Sequence, residues 1–164
     1  MTTAIKGNDT STFGGAIAAN NVSAIVPAFS ASKTDANQSI VTATNTKITF
    51  NNELFDTASN FASSRFTPTV AGYYQLNANI YFLVPVDQSL IQISITKNGS
   101  VINYGNITTA SGTTSIALHA SALVEANGTT DYFEVYCYHN NGSNKEIDNL
   151  GSATYFNGVL ARAA

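Results

Sequence analysis

The chain has a single cysteine, Cys137, among 164 residues. That excludes an internal disulfide and a multi-cysteine zinc site. Charged side chains make up 10% of the residues, against about 25% in an average soluble domain. Asn, Thr and Ser supply the polarity instead. No run of like charges occurs and the net charge is −3, so there is no basic stripe to neutralise phosphates and nucleic acid is not an expected partner. No apolar run approaches the ~20 residues of a membrane-spanning helix, and no membrane partner is expected. The opening Met1 to Gly7 has no apolar block of the length a secretory signal needs. No segment carries a convincing helical period.

Catalytic constellations are missing too. His119 and His139 stand twenty residues apart on different predicted strands, with no metal-ligand or triad spacing around either. An enzyme is not expected, nor a cofactor or a resident metal. Cys137 shares a predicted apolar face with Phe133 and Val135, the setting of a small buried hydrophobe rather than a thiol nucleophile. Asp131, Glu146 and Asp148 are read as solvated loop carboxylates rather than cation ligands. Asn-X-Ser/Thr triplets at Asn98, Asn106, Asn127 and Asn141 are read as turns and coincidences of an Asn- and Thr-rich chain.

What is present is a succession of short strands. The longest predicted run is Gly72 to Val84. Side chains alternate across a strand, so Tyr74, Leu76, Ala78, Ile80, Phe82 and Val84 share one face. The other face reads Tyr73, Gln75, Asn77, Asn79, Tyr81, Leu83. A face turned to water normally carries only polar groups. Tyr73, Tyr81 and Leu83 therefore read as surface that a second copy of the chain covers, each worth roughly 1.5–3 kcal/mol when buried. The competing reading is that loops of the same chain cover them.

Around this run the sequence predicts strands at 28–31, 39–41, 47–50, 53–56 and 61–66, then at 90–97, 101–107, 114–125, 131–139 and 155–160. Pro68 belongs at an edge or corner, since it has no donor for a ladder. Asn98-Gly99 is the strongest hairpin signal, because both central residues of that turn take positive φ. The stretch from Asn141 to Gly151 reads as a polar loop. On the last long run Tyr132, Tyr136 and Tyr138 form a column. They offer a recognition surface for sugars or another protein, or they pack beneath a loop. Many short strands with Asn/Gly turns indicate an all-β sandwich or jelly roll. Residues 1–25 are turn-rich and lack a core of their own. They read as an N-terminal arm, ahead of a domain at 26–164, that docks on a partner through Ile5, Phe13 and Ile17; the competing reading is a frayed terminus.

Several phrases in order resemble the globular head of complement C1q and the related tumour necrosis factor-like jelly rolls. They are Pro27-Ala28-Phe29-Ser30-Ala31, Ile48 to Asp56, Arg65-Phe66-Thr67-Pro68-Thr69-Val70-Ala71-Gly72-Tyr73-Tyr74, Lys97-Asn98-Gly99 and Phe156-Asn157-Gly158-Val159-Leu160. The resemblance covers about residues 27 to 162. It implies a ten-stranded jelly roll that forms a homotrimer, with first and last strands adjacent. Within that family the chain looks similar to C1q-like domains of bacteriophage virion proteins, those of cyanophages in particular. Three departures stand out. No collagen-like Gly-X-Y stalk is present, and the turn Glu125 to Asp131 is not the family's usual Lys-Gly-Asp type, while family calcium sites find no matching carboxylates.

The expectation is a non-enzymatic virion structural protein, a trimeric capsid cement or decoration protein. Its partner would be the phage major capsid protein, or a tail protein. The alternatives are a receptor- or glycan-binding head of a phage tail or fibre, and a secreted C1q/TNF-like ligand module.

Overall fold

The computed structural model describes residues 26–164, and Ile5, Phe13 and Ile17 of the expected arm lie outside the described residues. Those described form a sandwich of two antiparallel sheets without a helix. In chain order the strands are β1 (Ala28–Ser32), β2 (Gln38–Ile40), β3 (Thr46–Lys47), β4 (Asn52–Asp56), β5 (Phe61–Ala62), β6 (Arg65–Phe66), β7 (Gly72–Leu83), β8 (Leu90–Lys97), β9 (Ser100–Thr109), β10 (Ile116–Ala126), β11 (Phe133–His139), β12 (Lys145–Ile147) and β13 (Tyr155–Ala163). Eight of these have five or more residues and five are shorter. The jelly roll expected from the sequence is therefore present, with more and shorter strand pieces than ten.

The seven-stranded sheet is built on β7. Along one edge β10 pairs with it in unbroken register from Gly72↔Ala126 to Phe82↔Ile116. Its other edge takes β13 and, at the far end, β12. β1 follows β13 and β4 closes that side; β2 pairs with β12. The six-stranded sheet runs β5-β6-β11-β8-β9, with β3 also on β11. First and last strands are neighbours, as the resemblance implies: Phe29 faces Gly158.

The alternation read in the sequence sets the core. Tyr74, Leu76, Ala78, Ile80 and Phe82 of β7 are buried against Ile91, Ile93 and Ile95 of β8 and Phe133, Val135 and Cys137 of β11. Burial pushes the Cys137 thiol up to about 12, so it packs as a small apolar group. One end of the core is aromatic. The Phe29 ring stacks on Phe66 at 4.3 Å and on Phe61 at 5.0 Å, and meets Phe156 edge-on at 4.9 Å.

Turn chemistry follows expectation at Asn98-Gly99, where φ is 54° and 81°. Pro68 lies between β6 and β7, outside both sheets.

Four local readings are corrected. Val84 does not belong to the core: β7 ends at Leu83 and Val84 is 53% exposed. Its N–H goes to Ser115 Oγ at 3.1 Å, and Pro85 cannot extend the ladder. The predicted strand at 47–50 shrinks to Thr46–Lys47, because side chains take over the pairing. Thr49 N–H donates to Gln38 Oε1 at 2.8 Å and Phe50 N–H to Ser64 Oγ at 2.8 Å. The run at 61–66 is a hairpin of β5 and β6, turned by Ser63 and Ser64 with φ of 51° and 57°. The stretch from Asn141 to Gly151 is not wholly loop, since β12 joins β2 to β7 there and Ile147 is fully buried.

Candidate functional site

Two surfaces carry the side chains singled out in the sequence, one on each sheet. The first is the outer face of the seven-stranded sheet. Residues directly opposite in an antiparallel pair share a face, so the registers lay out its rows. The row Ser121–Asn77–Asn157 crosses β10, β7 and β13. Asn77 Nδ2 donates to Asn157 Oδ1 at 3.2 Å, Ser121 Oγ donates to Asn77 Oδ1 at 2.9 Å, and Gln75 Nε2 donates to Ser121 Oγ at 2.9 Å. The next row is His119–Asn79–Tyr155. His119 is exposed, on the surface rather than in the core.

Apolar groups flank this amide layer at both ends. At one end Tyr73 is 42% exposed, beside a row in which Leu123 (64%) and Val159 (41%) flank Gln75. At the other, Tyr81 and Leu83 are half-buried. The three residues named from the sequence therefore share a face but not one patch: eight residues separate Tyr73 from Tyr81, about 27 Å at the rise of a strand. The sequence reading missed Leu123, which its alternation with Ala122 and Val124 could have flagged.

Further apolar groups lie on β9, the last strand of the other sheet. Val101, Ile102, Tyr104 and Ile107 are all exposed. Between β9 and β10 runs a groove of about 430 Å³ lined by Ile102, Asn103, Ser121 and Leu123, with Lys97 and Glu125. The Asn103 Oδ1 in it is buried without a partner among the described residues.

The second surface is the outer face of the six-stranded sheet. Tyr132, Tyr136 and Tyr138 lie in a column, each half-buried. Glu134 stands in the same column and is 2% exposed. Its Oε1 accepts from Lys47 Nζ at 2.6 Å and from Arg65 Nε at 2.8 Å; its Oε2 accepts from the Tyr136 hydroxyl at 3.2 Å. Burial works to raise the Glu134 carboxyl, but the two cations outweigh it and hold it below the usual range. The hydrogen bond to Glu134 likewise raises Arg65. The Arg65 guanidinium lies 3.9 Å above the Tyr132 ring, a cation–π contact. Sequence reading found the tyrosines and missed Glu134, Lys47 and Arg65, which are remote from one another along the chain.

The candidate carboxylates do not converge. Asp131 is corrected from a solvated loop group to a buried one, 6% exposed. It accepts from Lys97 Nζ at 2.9 Å, Asn98 Nδ2 at 2.8 Å and the Asn127 N–H at 2.9 Å. These bonds, led by that from Lys97, hold its carboxyl low and tie two turns together. Glu146 is part of β12, where it accepts from Asn37. Among the described residues no group of three His, Cys, Asp or Glu side chains is placed to hold a metal ion.

No family model matches the chain, and no curated protein matches its sequence. Solved structures do. The globular domain of zebrafish complement 1qA superposes with a TM-score of 0.63 at 17% identity, covering 85% of this chain and 99% of that one. Murine APRIL at pH 5.0 gives 0.62 at 11% identity, covering 82% and 98%. Eiger TNF from S. frugiperda gives 0.60 at 11% identity, covering 85% and 94%. The fold is thus the jelly roll shared by C1q and TNF domains.

Proposed function

We propose that the chain is a non-enzymatic structural module that closes into a homotrimer. The observation that carries this reading is a pair of apolar surfaces facing different ways on one protomer: Tyr73, Leu123 and Val159 on the seven-stranded sheet, with Ile102 across the β9–β10 groove from Leu123, and Tyr104 and Ile107 on the outer face of the six-stranded sheet. A two-fold dimer needs one patch that matches itself. Two different patches favour a head-to-tail contact, and such contacts close into a ring when the rotation allows. Tyr81 and Leu83 extend the sheet-face side of that contact.

The trimer's place is a virion, as a cement or decoration protein on the coat lattice, with the major capsid protein as partner. Support for this finer step comes from the sequence: the likeness to C1q-like phage domains, the low charge, and a turn-rich N-terminal segment whose Ile5, Phe13 and Ile17 would dock on the coat. A count of copies in the purified native particle tests it. Hundreds per particle is the expected result; absence from the particle overturns the virion role.

A tail or fibre head is the second reading, and one observation favours it: the tyrosine column with Arg65 is a pre-built surface of the kind used for recognition. A few to some tens of copies would select it over the cement role.

A further inference from the structure

We propose that the tyrosine column on the six-stranded sheet is a binding site for a carboxylated polysaccharide, with Arg65 taking the sugar's carboxylate. The site is on the six-stranded sheet, where Ser94 and Gln92 stand between Tyr136 and Tyr138 and the Tyr104 and Ile107 of the proposed contact, and it rests on that contact leaving the column open.

Arg65 is held from two sides. Its Nε is bound to Glu134 and its plane rests on Tyr132. Among the described residues no partner engages its Nη groups, and the side chain is 44% exposed. A guanidinium fixed in this way has already lost most of its rotamer freedom, and its free edge matches a carboxylate through two parallel hydrogen bonds. Charge agrees: Lys47 and Arg65 face the single carboxylate of Glu134, leaving one positive charge on a chain of net −3.

The occupant's other half is set by the rest of the column, which runs about 20 Å from Tyr132 to Tyr138 at the rise of a strand. β11 is an interior strand, paired with β8 on one side and with β6 and β3 on the other. Its backbone N–H and C=O groups are therefore committed, and an extended peptide finds no edge to pair with. What the face offers is side chains: the rings of Tyr136 and Tyr138, and the half-buried Gln92 opposite Tyr138. Rings with polar tips suit a sugar, whose apolar faces stack while its hydroxyls stay hydrogen-bonded.

The test is calorimetric titration of the intact protein with three probes of matched length: oligogalacturonate, a neutral glucose oligomer and oligoglutamate. Oligogalacturonate should bind, and the other two at least about tenfold more weakly. Arg65→Lys keeps a cation beside Glu134, and so the fold, but loses the planar fork; it should weaken oligogalacturonate about tenfold with an unchanged melting temperature. Tyr138→Ala, outside the Glu134 cluster, should weaken it as well. No binding of oligogalacturonate, equal binding of oligoglutamate or of the neutral oligomer, or an Arg65→Lys variant of full affinity overturns the proposal.

Discussion

The side-chain amide of Asn77 donates to the side-chain carbonyl of Asn157 across the middle of the seven-stranded sheet, at 3.2 Å. With Ser121 and Gln75 it forms a polar layer on a face whose ends are apolar. If three copies cover this face, the layer sits inside the contact and cannot accept a charge cheaply. Asn77→Asp keeps the shape and adds a carboxylate per protomer. It should dissociate the trimer at pH 7, and association should return as the pH falls below the usual carboxylate range. Sedimentation at the two pH values reads this, and a variant trimeric at pH 7 would show that the layer stays wet.

The second prediction concerns His139, which is fully buried. Its Nε2 bonds the Ile40 carbonyl at 2.9 Å while Nδ1 accepts the Asn141 N–H at 3.2 Å, which fixes the neutral ring with its proton on Nε2. Burial depresses its pKa below the ordinary 6.5, as Lys145 does more weakly, against the Ile40 carbonyl. The unfolded ring takes up its proton first. Stability is therefore full above about pH 6.5 and declines as the pH falls from there toward the folded-state value. Melting temperatures across pH 8 to 5 should show that decline, and His139→Gln should lack the part that begins near 6.5.

The third concerns Gly105 on β9. A Cβ there would lie 2.2 Å from the His119 carbonyl oxygen and 2.6 Å from Ala120 Cα, both backbone of β10. No side chain can yield, so Gly105→Ala must push the two strands apart at the edge where the sheets meet. Overpacking of this kind costs about 1–3 kcal/mol, or roughly 2–4 °C per kcal/mol in a chain of this size. Gly112→Ala is the contrast: it meets nothing within 4 Å and carries only the cost of a φ of +74°. Equal losses in thermal melts of the two variants would mean that strand approach is not what selects glycine at 105.

Much of this fold was legible because period-two alternation maps directly onto burial in a sandwich. Tyr74 to Phe82 and Ile91 to Ile95 are buried as their spacing required. What stayed hidden was set by tertiary pairing. Ser63 and Ser64 hold positive φ without Gly or Asn, and Ser64 is tied to the Phe50 backbone. β12 is three residues long and exists because β2 and β7 flank it. On the sites, the tyrosine column could be read from one strand. Glu134 needed Lys47 and Arg65, which are 87 and 69 residues away. The apolar outer face was read from β7 alone, while Leu123 and Val159 join it only through pairing.

Light scattering coupled to size exclusion, on the 164-residue chain at micromolar concentration, bears most directly on the trimer. A mass three times the 17.3 kDa of the chain is expected, falling to one copy in Leu123→Glu, which puts a charge on the most exposed apolar position of the sheet face. A folded species of 17.3 kDa at that concentration, with Tyr73 and Leu123 left in water, would contradict it.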